Sequence, residues 1–226
     1  MRRSKLPLSL VLSFTGGYVD TAGFLAFQGL FTAHVTGNFV TLGASLVHGR
    51  GGGLAKLLAL PTFCLVVLLV RLYAVRLTRR HAQVLTRVLA LQLLFLTIGT
   101  AMAIILGPFS NGDSLPAVAT GLILVTAMAI QNAAHRTHLS RAPPSTLMTG
   151  TTTQIMIDLA DLIAGSTPDD VAATRRRLGR FSMAVAVFAS GCGLAALAYA
   201  TLNVRVFALL PVLGALALVA DQEVKP

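Results

Sequence analysis

The stretch LSLVLSFTGGYVDTAGFLAFQGL, from Leu8 to Leu30, decides what kind of protein this is. As a helix it is long enough to cross a hydrocarbon layer about 30 Å thick. Only one residue in it, Asp20, is charged. Asp20 sits near the midpoint, about 18 Å of helix beyond Leu8. Placing an ionisable side chain at such a depth costs at least about 2.5 kcal/mol, so an intramembrane carboxylate reads as functional by default. The segment is not expected to be a cleaved leader, because it is too long and no small-residue cleavage motif follows it.

The rest of the chain has the same character. Of 226 residues, 55% are hydrophobic and 12% are charged, with a mean hydropathy of +0.77. Soluble domains carry about 25% charge. These values exclude a soluble enzyme and a disordered tail, and they predict a polytopic membrane protein in contact with the lipid bilayer. The net charge is +10, but the basic residues fall between apolar runs and not on one polar face, so no nucleic-acid partner is expected. Six segments approach membrane-spanning length: Leu8 to Leu30, Leu54 to Val70, Val88 to Leu106, Pro116 to Asn132, Phe181 to Tyr199 and Val206 to Ala220. The last two would be joined by a tight hairpin near Asn203 and Arg205. With six spans and a cytoplasmic N-terminus, fifteen Lys and Arg residues fall inside and three (Arg50, Lys56, Arg205) outside. The fifteen include Arg2, Arg3, Lys5, the run Arg175 to Arg180 and Lys225. That asymmetry follows the positive-inside rule and places both termini in the cytoplasm. With no Trp in the chain, Tyr18, Tyr73 and Tyr199 are the candidates for an interfacial aromatic belt.

Two semi-polar stretches do not read as spans. Phe31 to Gly49 is FTAHVTGNFVTLGASLVHG, and Leu147 to Gly165 is LMTGTTTQIMIDLADLIAG. Each carries Thr-Gly, then a small polar residue, then helical sequence that ends at Gly. Thr, Asn and Gly favour helix starts and Gly favours helix stops, so each is expected to form a short helix from near Gly37 or Gly150. Thr36 and Thr149 are half the chain apart. Asp20 precedes the first Thr-Gly, and Asn132 the second, by almost the same interval. The expected fold class is an all-α polytopic membrane protein of six transmembrane helices plus two short broken or re-entrant helices. Its single membrane domain, 1–226, divides into repeat one, 1–112, and repeat two, 113–226. Three spans per repeat make the arrangement a 3+3 inverted repeat, the common plan of secondary transporters.

GGYVDTAGFLAF at Gly16 to Phe27, followed by HVTGNFVTLG at His34 to Gly43, resembles the YoaK-like family of bacterial inner-membrane proteins. AIQNAAHR at Ala129 to Arg136, followed by MTGTTTQ at Met148 to Gln154, is similar to that family's second-half signature. The resemblance covers almost the whole chain and implies a multi-pass protein of the bacterial inner membrane. It brings neither a substrate nor functional residues, since the family is a domain of unknown function. Thr151 stands where the first motif has Asn38.

The residues themselves point to a site between the halves. Helix starts inside a membrane protein expose free N–H groups and a positive dipole end, so Thr36-Gly37-Asn38 and Thr149-Gly150-Thr151 together could cradle an anion or a carboxylate-bearing solute. An interfacial helix capped by its own Thr is the alternative for each. Asp20, with His34 beside it if the chain folds back, is the expected proton-coupling pair. Its alternative is a helix-packing hydrogen bond. The amides Gln131 and Asn132 could bind solute or join helices. Asp158 and Asp161 are expected on a solvated face. Of His34, His48, His81, His135 and His138, the last two share a helical face but lack a third ligand, so no metal site is expected. Cys64 and Cys192 read as small buried hydrophobes. No nucleophile elbow, phosphate loop or zinc-protease motif occurs, so neither an enzyme nor a cofactor is expected. The function that follows is a secondary transporter of a small polar or anionic solute, open to proton coupling. A passive small-solute channel and a non-transporting scaffold or interaction protein are the alternatives. The small face at Gly191-Cys192-Gly193 permits a homodimer.

Overall fold

The structure, a computed structural model, describes residues 6–48, 51–80, 83–146, 148–165 and 168–221. Arg2, Arg3, Lys5, Arg50 and Lys225 of the charge count, and His81, lie outside the described residues. All regular elements among the described residues are helices: α1 (Leu8–Ala26), α2 (Gly37–His48), α3 (Gly53–Arg79), α4 (Val84–Leu106), α5 (Leu115–His138), α6 (Met148–Ala164), α7 (Pro168–Leu202) and α8 (Leu210–Val219). A 3-10 segment, Asn203–Leu209, joins the last two. By length and composition α1, α3, α4, α5 and the run Val171–Val219 could each cross a membrane.

Helix boundaries differ from the sequence reading where charge was taken as a stop. α3 continues past Val70 to Arg79 and α7 begins at Pro168, so Arg175, Arg176, Arg177 and Arg180 are helical rather than in a loop. Arg is a good helix former, and Arg76 and Arg79 suit the negative end of α3. α1 stops earlier than expected, at Ala26, because Gln28 and Gly29 take φ of 54° and 89°. Gly29 adopts that conformation without steric cost, and the chain doubles back there. At Asn203 (φ 50°) the last helical run also turns. The Phe207 ring then lies 5.9 Å from Phe27, while Asp221 exchanges backbone hydrogen bonds with Leu6 and Leu8 at 3.0 and 3.1 Å. α8 therefore runs antiparallel to α1.

The body is centred on α1 and α5. About three quarters of each is buried (72% and 78%), against 22% of α3. α1 packs on α7, α5 and α8, and α5 packs on α3, α4 and α1. One apolar cluster gathers Tyr18, Phe27, Leu30, Leu96, Met128 and Phe207, and a second gathers Leu8, Leu12, Leu89, Ile130 and Ala217. Outside, Leu65, Leu68, Leu69 and Leu72 of α3 are exposed, together with Ile105, Met183 and Leu197. An apolar exterior this extensive would drive association in water and suits a lipid solvent instead.

Two expectations about single residues are corrected. Tyr18 is no belt residue: it is buried, and its hydroxyl donates to the Val206 carbonyl at 2.9 Å, as buried tyrosines require a polar partner. Cys64 is exposed and Cys192 half-buried, so neither is a core residue; Cys64 shares the lipid-type face of α3.

α1 and α7 touch backbone to backbone. A Cβ at Gly17 would strike the Phe188 carbonyl, and one at Gly191 the Phe14 carbonyl. Gly193, two residues on, has nothing within 4 Å. Overpacking a close contact costs about 1–3 kcal/mol. Gly17→Ala and Gly191→Ala are therefore expected to lower stability by that amount in detergent unfolding titrations, while Gly193→Ala stays neutral. Equal behaviour of the three would show that the close crossing is absent.

Candidate functional site

The site is built from the chain reversal after α1. Residues 31–35 fold back against the middle of α1, where Asp20 is 5% exposed. One carboxylate oxygen, Oδ1, accepts the N–H of Thr32 at 2.8 Å and of Ala33 at 2.7 Å, with the His34 N–H and the Thr32 hydroxyl at 3.5 and 3.3 Å. The other, Oδ2, is 2.6 Å from Nδ1 of His34. With an ionised carboxylate as acceptor, Nδ1 carries the hydrogen, and Nε2 is the ring nitrogen outside this contact. Phe31 and Phe188 meet the imidazole edge-on. Sequence spacing had proposed the Asp20–His34 approach if the chain folds back, and the structure brings the two into contact.

The start of α2 is closed on itself. The N–H groups of Gly37, Asn38 and Phe39 bond to the carbonyls of His34, Val35 and Thr36 at 2.8, 3.2 and 3.2 Å. The buried Asn38 side chain spends both ends on Phe31, accepting its N–H and donating to its carbonyl, each at 2.8 Å. Thr36, Gly37 and Asn38 therefore work as a turn lock rather than an open cradle. At the far end of α2, the buried Lys56 ammonium of α3 donates to Ser45 at 2.7 Å and ties the two helices together.

The start of α6 is different. Thr149, Gly150 and Thr151 line a cavity of about 560 Å³, and a helix start carries the positive end of the helix dipole. His34 lines the same cavity, together with Gln154, Arg177 and Phe181. One half of the chain thus supplies an imidazole, and the other a helix start and a guanidinium. Among the described residues, no acidic one lines the space.

Asp158 sits behind this wall, and the expectation of a solvated face is overturned for it. Its side chain is completely buried and paired with Arg177, whose Nε donates at 2.8 Å and Nη2 at 2.6 Å. Gln154 donates to the same carboxylate at 2.7 Å. A carboxylate one helical turn beyond an amide on α6 meets a guanidinium from α7, and burial is tolerated because every charge is matched. Arg177, aided by the Gln154 hydrogen bond and against the effect of burial, holds the Asp158 carboxyl below its ordinary value. Nη1 lies outside the pair. Asp161 is exposed.

Gln131 and Asn132 do not reach this cavity. Gln131 is fully buried and joins helices: it accepts from Gln92 at 2.8 Å, and donates to the Leu12 carbonyl at 2.9 Å and to Ser145 at 3.1 Å. Asn132 accepts from the Thr146 hydroxyl at 2.7 Å and lines a second cavity. Gln154 and Arg177 were missed as site residues. The i, i+4 spacing of Gly150, Gln154 and Asp158 was the available signal for one face of α6, but nothing local separates Arg177 from its basic neighbours.

Fold and site together define an all-helical protein of membrane type, with a cavity that carries an imidazole and a guanidinium set into an apolar body. The chain belongs to the family described as "Protein of unknown function (DUF1275)", which matches residues 8–220. No curated protein and no solved structure matches it.

A carboxylate held below its ordinary value stabilises the fold above the unfolded value near pH 3.9 and loses that contribution as pH falls through its native value. Arg177 is 41% exposed, so solvent screening keeps the pair near about 1 kcal/mol. Asp158→Asn is expected to lower the melting temperature near pH 7. The gap from wild type should close below about pH 4. A gap that persists unchanged into strong acid would show that the pair does not act through its charge.

Proposed function

We propose that the protein is a secondary transporter of a small polar or anionic solute, built from two inverted halves that cross the bacterial inner membrane six times. The single observation that carries this reading is the cavity in which His34, oriented by Asp20, faces the start of α6 and Arg177. The positive dipole end of α6 and the outer edge of the guanidinium would hold a carboxylate or similar anion. The Asp20–His34 pair would take up and release the coupling proton, with the imidazole as the exchanging member and the carboxylate fixing its orientation.

The inverted-repeat plan draws support from helix pairing. α1 packs on α7 as α5 packs on α3, α2 on α3 as α6 on α7, and α8 on α1 as α4 on α5. Exchanging one half for the other turns each of these three contacts into its counterpart, although α3 on α4 has none in α7 and α8, and α4 meets α8 across the divide. In this plan α2 and α6 are re-entrant helices that start deep in the body. The charge asymmetry and the YoaK-like motifs support cytoplasmic termini and the inner membrane as location.

One observation favours a second reading. The hydrogen bonds of Asp20 to Thr32 and Ala33 are those of a residue that shapes the fold, as in a scaffold protein without transport. Proteoliposomes loaded with a pH-sensitive dye and given radiolabelled acetate, lactate or succinate separate the two. Transport predicts saturable uptake with accelerated counterflow, reduced at least about tenfold by Arg177→Gln. Asp20→Asn should keep the fold, since its carbonyl still accepts the backbone N–H groups, but should uncouple uptake from proton entry. Uptake without counterflow would indicate a channel. Normal coupling in Asp20→Asn would remove the proton role. No uptake of any probe, together with collapse of Asp20→Leu, would leave the scaffold reading.

A further inference from the structure

The second cavity carries an inference of its own, independent of transport. It has a volume of about 390 Å³ and lies between the end of α5, the loop that follows it, α3 and α7. His135 lines it and is 6% exposed. Neither ring nitrogen, Nδ1 nor Nε2, makes a hydrogen bond. The Ala142 backbone lies near the ring. Buried polar groups are almost always partnered, so an imidazole that faces a cavity with both nitrogens idle marks the place of a water, an ion or a ligand.

The other lining residues narrow the choice. Arg136 and Arg141 are exposed and border the same space. Two guanidiniums present paired N–H donors that match phosphate oxygens and balance a dianion. Among the described residues no carboxylate lines the cavity, which disfavours a cation. Phe63, Val67 and Phe181 form the apolar part of the wall, and a bare inorganic ion would leave that surface unused. The volume falls in the range of small-molecule sites.

We propose that this cavity binds a phosphate group attached to an apolar body, with Arg136 and Arg141 on the phosphate oxygens, His135 as a further hydrogen-bond partner, and the organic portion against Phe63, Val67 and Phe181. Two sources share this chemistry: a phospholipid headgroup entering from the bilayer, and a soluble phosphate ester entering from the aqueous side.

The test uses the full chain in maltoside detergent, which contains no phosphate. Inorganic phosphate, phenyl phosphate and phosphatidylglycerol in mixed micelles are titrated separately. The imidazole ¹⁵N signals of His135, assigned by their loss in His135→Gln, and the melting temperature are followed. Saturable movement of the His135 signals is expected, with phenyl phosphate binding more tightly than inorganic phosphate. The double variant Arg136→Gln/Arg141→Gln should weaken it by about tenfold or more. Both arginines are exposed, so this variant should fold normally. A response to phenyl phosphate alone assigns the soluble source, a response to phosphatidylglycerol alone the lipid, and a response to both the shared chemistry. His135 signals that ignore all three probes, or a double variant that responds like wild type, overturn the proposal.

Discussion

A chain that reverses direction inside an apolar body strands its own amide groups. In water a turn hands them to the solvent, but in lipid each needs an internal acceptor. Asp20 meets that requirement for the returning segment. Its two carboxylate oxygens collect the Thr32 and Ala33 amides and the His34 ring. The depth at which α2 begins and the direction in which His34 points both depend on this one side chain. The cost of placing a carboxylate in the body is offset by the donors it satisfies, which would otherwise be the larger penalty.

The two reversals use different chemistry. After α1 a charge does the work. After α5 amides and hydroxyls do it, through Gln131 with Ser145 and Asn132 with Thr146. α2 then closes its first turn through Asn38 and the carbonyls of His34, Val35 and Thr36. α6 has Thr151 at the position of Asn38, and its start lines the chamber. Under the proposed reading, the departure between Asn38 and Thr151 separates a structural start from a ligand-facing one.

Much of this was legible in the residues. Apolar runs located the long helices, and the semi-polar stretches announced α2 and α6 because Thr-Gly and a later Gly are local signals with local causes. Asp20 stood out because an isolated carboxylate in an apolar helix has few innocent explanations. Three things were not legible. The extent of α7 was hidden because arginine serves a helix and a basic loop equally well. The burial of Asp158 depended on Arg177, nineteen residues away on another helix, and periodicity within α6 carries no information about that partner. The role of Gln131 depended on Gln92, Leu12 and Ser145 from three other parts of the chain, so an amide that joins helices looked the same as one that waits for a solute.

Pro144 and Phe181 border both cavities. The two cavities therefore share a proline ring and a phenyl ring as part of their walls. Rotation of that aromatic side chain would reshape both walls at once, a local event far faster than the rigid-body movement of packed helices. Communication between the compartments would then be set by how tightly neighbours confine that ring.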